Sequence, residues 1–139
     1  MKSLIAAITM IFISFGANAF NIEDLYKKCK PFQNNGFALD NLNEIQQQNA
    51  LMCLSHLDAL AKLGYKNCAY LKKAYENKMI NITAFETLSS LIANDKDTQI
   101  NAVITSFVKF AENNTQKWKY TPSNYNEEFI GNIYPCKLD

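Results

Sequence analysis

The sequence predicts an all-α protein, a single compact bundle of five or six helices held by two disulfides, and three observations predict it. Apolar residues recur at helical spacing, most regularly at Ile100, Val103, Ile104, Phe107, Val108 and Ala111. No segment sustains a period-two alternation between hairpin turns, and the whole chain holds only 4 glycines. Its 4 cysteines are an even number, which in a short exported chain reads as a disulfide framework.

Export is read from the N-terminus. Lys2 forms a short basic start, 4–15 is an almost unbroken apolar run, and Ala17-Asn18-Ala19 is a small-x-small cleavage site. The expected organisation is a secretory signal peptide at 1–19 and one exported helical domain at 20–139. The first apolar run is short for a spanning helix, and no second stretch of about 20 apolar residues follows it, so no membrane insertion is expected after cleavage. All four cysteines fall in the mature domain.

Charge works by exclusion. The chain carries 14 Lys+Arg against 13 Asp+Glu, and every basic residue is lysine. Without arginine, bidentate recognition of guanine or phosphate is missing, and the lysines are scattered, so a nucleic-acid partner is not expected.

The elements follow in order. Asn21 precedes Ile22, Leu25, Tyr26 and Cys29 at helical spacing, with Glu23 and Asp24 suited to the first turn and Pro31 expected to stop the helix. The stretch 31–41 reads as a loop. Asn41 and Glu44 form the pattern of a capping box, opening a helix through Ile45, Leu54, Leu57 and Ala61 that Gly64 is expected to end. A shorter helix is expected at 67–77, with Cys68, Leu71 and Tyr75 on one face. Thr83 and Glu86 look like a second capping box, Thr98 a cap for the core helix from Ile100, and Thr121-Pro122 the start of a last helix ending at Pro135-Cys136. The sequons at Asn81 and Asn113 would be glycosylation acceptors only in a eukaryotic secretory pathway.

The stretch CLSHLDALAKLGYKNC, from Cys53 to Cys68, gathers the chemistry-bearing residues, including the only histidine. Secreted phospholipases A2 place a His-Asp pair beside a cysteine, but His56 and Asp58 are two apart and point about 200° apart around a helix. Structural zinc sites present ligands in close pairs, and neither Cys29 nor Cys136 has a second ligand nearby. A cysteine nucleophile activated by His56 needs a free thiol, which an exported chain with an even cysteine count is not expected to keep. No catalytic residue, metal or cofactor is therefore assigned, and His56 reads as an ordinary helix residue. The cysteines read as fasteners. Three pairings are open to four cysteines; the spacing favours Cys29 with Cys53, tying the first helix to the second, and Cys68 with Cys136, tying the C-terminus to the middle of the chain.

The ordered set of a signal peptide, a helix ending in Cys29, a long helix with Cys53 that ends in Gly64, a third Cys68 before the helix start Asn81-Ile82-Thr83, and a terminal helix closing on Tyr134-Pro135-Cys136 resembles the Rap/Tai immunity proteins of type VI secretion. Most specific is the ending YTPSNYNEEFIGNIYPC. The resemblance implies a periplasmic immunity protein that binds a peptidoglycan amidase effector and occludes its active-site cleft without performing chemistry. The alternatives are a periplasmic helical chaperone or stress-related structural module, for which one histidine makes a poor acid sensor, and a small secreted hydrolase. A homodimer stays open. For the partner-binding surface, the short charged turn of Asn94, Asp95, Lys96 and Asp97 is the expected element, with the loop 33–37 second, because loops between rigid helices present polar side chains at low ordering cost.

Overall fold

The computed structural model describes residues 20–90 and 99–138, so the signal-peptide reading of 1–19 and the turn of Asn94, Asp95, Lys96 and Asp97 lie outside the described residues. The chain forms α1 (Ile22–Asn34), α2 (Glu44–Glu76), α3 (Ile82–Ser89) and α4 (Ile100–Asn113). Two 3-10 turns follow, Thr115–Lys117 and Pro122–Tyr125, then a π-helical turn, Glu127–Gly131. The stretch 122–131 is the fifth helical element, and no strand occurs among the described residues.

Two apolar clusters organise these helices. The larger joins Ile22, Leu25, Cys29 and Phe32 of α1 to Ala50, Cys53, Leu57 and Ala61 of α2, Val103, Ile104, Phe107 and Val108 of α4, and Phe129 and Ile130. Phe107, Phe110 and Phe129 are its aromatic centre, with ring centroids 5.3 Å apart for Phe107–Phe129 and 5.6 Å for Phe110–Phe129. The smaller consists of Cys68, Leu71, Phe85 and Cys136, with Tyr75 and Ile80 packed against it. Each cluster contains one disulfide, Cys29–Cys53 in the larger and Cys68–Cys136 in the smaller, and no described cysteine is free. The pairing favoured by the spacing is the one present.

Several boundaries differ from the sequence reading. Pro31 lies inside α1, which runs on to Asn34. The true stop is Gly36 in the left-handed region, φ 65°, where Phe37 N–H donates to the Phe32 carbonyl at 3.0 Å and Gly36 N–H to the Gln33 carbonyl at 2.9 Å. That is a Schellman cap, completed by the Phe37 ring set edge-on to Phe32 at 5.5 Å. The loop 33–37 is thus folded onto its own helix and does not project. The capping box of α2 is formed by Asn43 and Gln46 rather than Asn41 and Glu44. Leu39 and Leu42 pack on the core first, and the helix begins once they are placed.

Gly64 does not end α2, and no separate helix exists at 67–77: one helix of 33 residues covers both. Gly64 is buried on the same face as Leu57, Ala61, Cys68 and Leu71, so the covered stripe continues through it, and tertiary burial outweighs the roughly 1 kcal/mol that glycine costs in a helix. The end comes at Lys78, φ 57°, through a second Schellman cap: Met79 N–H bonds the Ala74 carbonyl and Lys78 N–H the Tyr75 carbonyl, both at 2.9 Å. This reversal drops Ile80 onto the smaller cluster, and Asn81, not Thr83, caps α3 by accepting from Ala84 N–H at 2.8 Å. The expected Thr98 cap lies outside the described residues. Thr121 makes no side-chain cap bond, and the last helix, with Pro122 at its start as expected, is 3-10 and π in character rather than α-helical.

Candidate functional site

The division into two clusters leaves a cleft of about 840 Å³ between α3, α4, the π turn and the C-terminal segment. α3 is held to α2 by Phe85 packed on Tyr75 at 5.6 Å, whereas α4 is held to the larger core. Ser106, Lys109 and Asn113 form one wall as the polar face of α4, at i, i+3 and i+7. Glu86 and Ser89 of α3 and its cap residue Ser90 form another, with Glu127, Glu128, Gly131 and Asn132 completing the lining. Phe110 also lines it, backed by Tyr125 and Phe129.

The charges in this cleft are unequally engaged. Glu128 is held by Lys117 through both oxygens at 2.8 Å, and the same ammonium sits 4.5 Å from the Tyr125 ring centroid. Glu86, Glu127, Lys109 and Lys137 make no ion pair among the described residues, so the cleft offers two carboxylates and two ammonium groups in addition to hydroxyls and amides. The π turn sets the spacing of this wall. Its wider loop carries Glu127 and Glu128 past Gly131, where an added Cβ would meet Glu127 Cβ at 3.3 Å, and such turns recur at functional positions. Beside it, Asn126 Oδ1 is buried and has no hydrogen-bond partner among the described residues. The arrangement can bind a polar segment bearing charges of both signs.

A second polar network closes the opposite seam, between α1, α4 and 117–120. Ile22 N–H and Glu23 N–H, unpaired within their helix, donate to the carbonyls of Tyr120 at 2.9 Å and Trp118 at 3.1 Å. Lys27 and Lys119 both bond Glu23, at 2.7 and 2.9 Å, and hold its carboxyl down at about 2. Lys30 and Tyr26 bond Glu112, at 2.7 and 3.1 Å, and lower its pKa in that order of effect. Burial first, then the Glu112 carboxylate, raises the Tyr26 hydroxyl. Tyr26 stacks on Trp118 at 5.5 Å, whose indole N–H donates to the Ala111 carbonyl. These bonds are structural.

The chemistry-bearing residues of the stretch from Cys53 to Cys68 do not converge. Asp58 pairs with Lys62 at 2.6 Å, one turn along α2. His56 is half-buried, edge-on to Phe20 with centroids 5.6 Å apart, and burial lowers its pKa. Cys53 and Cys68 are both in disulfides. Among the described residues no cluster of three or more His, Cys, Asp or Glu side chains is placed to hold a metal. The cleft residues were not singled out by sequence. Their one signal was the polar face of α4, and nothing in the spacing tells that α3 and the C-terminal segment come to face it.

Comparisons of the chain with protein-family models, with curated proteins and with solved structures find no match. Two closed disulfides mark a chain that matures in an oxidising compartment. No described helix is long and apolar enough to cross a membrane.

Proposed function

We propose that the protein is a periplasmic immunity protein that binds and occludes a peptidoglycan amidase effector of type VI secretion. The observation that carries this reading is the disulfide frame. The Tyr134-Pro135-Cys136 ending, the most specific part of the resemblance to the Rap/Tai proteins, is bonded back to Cys68 on the long helix, and the first helix is bonded to the same helix at Cys53. One stiff rod thereby holds both the first helix and the C-terminal segment, a scaffold suited to presenting a fixed surface at little ordering cost.

The contact surface is assigned to the cleft end of the bundle. Ser89 and Ser90 line the cleft, and in sequence they stand a few residues before Asn94, Asp95, Lys96 and Asp97, the turn expected to meet the partner. Glu86, Glu127, Lys109 and Lys137, which make no ion pair among the described residues, supply charge for pairing across an interface.

The test is titration of the mature protein against a cysteine-histidine amidase encoded in the adjacent reading frame, followed by hydrolysis of purified peptidoglycan. A stable complex and loss of hydrolysis are expected. Hydrolysis that continues at a tenfold molar excess of the protein would overturn the reading. Replacing Asp95, Lys96 and Asp97 with alanine should weaken the complex at least tenfold while both disulfides stay closed; unchanged affinity removes the turn from the contact.

A further inference from the structure

The two disulfides differ in how a thiol reaches them. Cys29 and Cys53 are both 0% exposed, enclosed by side chains of α1, α2 and α4. A reagent meets them only after the larger core has opened. Cys136 is 6% exposed and stands on the wall of the cleft of about 840 Å³, while its partner Cys68 is 1% exposed. The second bond is thus covered by protein on the Cys68 side and approached from the cleft on the Cys136 side. Thiol exchange needs such an approach, because the attacking sulfur must touch one sulfur of the bond.

What each bond holds is equally unlike. Cys29–Cys53 joins helices that also bury Leu25, Leu57, Val103 and Phe107 in one core, so apolar packing keeps them together when the bond is cut. Among the described residues, the buried part of the smaller cluster is Leu71, Phe85 and the two cysteines. With its bond open, Leu71 and Phe85, helped by the half-buried Tyr75, Ile80 and Leu138, are left to hold three segments. The last of these, 132–138, forms no helix of its own. Ile133 N–H and Tyr134 N–H both donate to the Ile130 carbonyl, at 2.9 and 2.8 Å, and from there Cys136 and Leu138 reach the small cluster.

We infer that Cys68–Cys136 is a reversible thiol-exchange site, entered from the cleft by a low-molecular-weight thiol, and that its opening releases α3 and the C-terminal segment from α2. The reagent's thiolate attacks Cys136 Sγ, the sulfur–sulfur bond breaks, and Cys68 leaves as a thiolate that takes a proton from water. A second reagent thiol attacks the reagent sulfur of the mixed disulfide, and Cys136 leaves in turn. The protein gains two electrons and two protons, and two reagent thiols become one disulfide. Glu86 and Ser89 of α3 share the cleft wall with Cys136, so the exchange changes the spacing of that wall. The inference does not rest on amidase binding, because labelling and exchange report on the chain by itself.

The test is incubation of the folded mature protein, with all four cysteines in place, in dithiothreitol from about 0.1 to 10 mM. Samples are quenched with an alkylating reagent and the labelled peptides identified by mass. Cys68 and Cys136 should be labelled at least about tenfold faster than Cys29 and Cys53. The faster rate should rise in proportion to thiol and hardly respond to urea below the unfolding transition, whereas the slower should follow the unfolded population. Hydrogen exchange of the chain with only this bond reduced should show α3 and 132–138 unprotected and α1 and α4 protected. Glutathione disulfide should then restore the protection. Equal rates, earlier opening of Cys29–Cys53, or no labelling of the folded chain overturns the site. A Cys68–Cys136 rate that climbs with urea assigns the opening to global unfolding and overturns it too. Retained protection of α3 after reduction, or failure of glutathione disulfide to restore what was lost, overturns the reversible release.

Discussion

The two ends of α2 are stabilised by different means. Its first half lies in a broad core with α1, α4 and the Phe129 segment, where three helices contribute fully buried side chains. Among the described residues its second half is covered by one eight-residue helix and the C-terminal strap, around Cys68, Leu71, Phe85 and Cys136. The disulfides have matching roles. Cys29–Cys53 closes a separation of 24 residues within a core that already unites its partners, whereas Cys68–Cys136 closes one of 68 residues and is itself much of the cluster. A small apolar cluster can hold distant segments together when the cross-link lowers the entropy of the unfolded chain. The cleft belongs to this thinly packed end, where the two clusters fail to merge.

The comparison breaks most visibly at Phe107. This ring is fully buried at the centre of the larger core, and Phe107→Ala should cost about 3 to 5 kcal/mol and unfold the whole chain, as read by urea titration. Replacing Cys68 and Cys136 with serine should cost about 2 to 4 kcal/mol, but unevenly. Hydrogen exchange should show amide protection lost in α3 and 132–138 and retained in α1 and α4. Equal loss at both ends would mean that the two clusters unfold as one unit.

A smaller effect of opposite sign is expected at the reversal between α2 and α3. Lys78 holds φ 57°, a conformation that costs a side-chain-bearing residue roughly 1 to 2 kcal/mol. Lys78→Gly should stabilise the small-cluster end by up to about 1 kcal/mol after glycine's own entropy cost, measured as slower exchange of the α3 amides. At the large end the sensitive variable is pH. The Glu23 carboxyl, normally near 4.5, is held at about 2 by Lys27 and Lys119. Its stabilising contribution is therefore complete above about pH 4.5 and disappears as pH falls through about 2. Glu23→Gln should flatten the melting-temperature profile across that window and little elsewhere. His56→Ala should have the least effect, leaving partner affinity within about tenfold. A thousandfold loss would show that His56 meets the partner.

Much of the fold was legible because the responsible signals are local. The apolar stripe of α4, the absence of strand periodicity and the even cysteine count each act over a few residues or none. Two of the failed boundaries share one cause. Pro31 and Gly64 are breakers in isolation, yet Phe32 lies buried beyond the first, and Cys68 and Leu71 beyond the second. Continuing the helix buries these side chains, and the burial outweighs the local cost. The stops that do operate, at Gly36 and Lys78, depend on left-handed backbone that a lysine does not advertise.

By itself the sequence determined the all-α class, the core face of α4 and the cysteines as cross-links, because periodicity and count are properties of the chain alone. Only the tertiary structure decided that two expected helices are one rod, that the thiols pair as Cys29–Cys53 and Cys68–Cys136, and that Glu86, Lys109, Glu127 and Lys137 share a cleft. Those outcomes depend on which distant surfaces meet. The free energy of burying one face against another is set by the partner surface, and no local pattern records it.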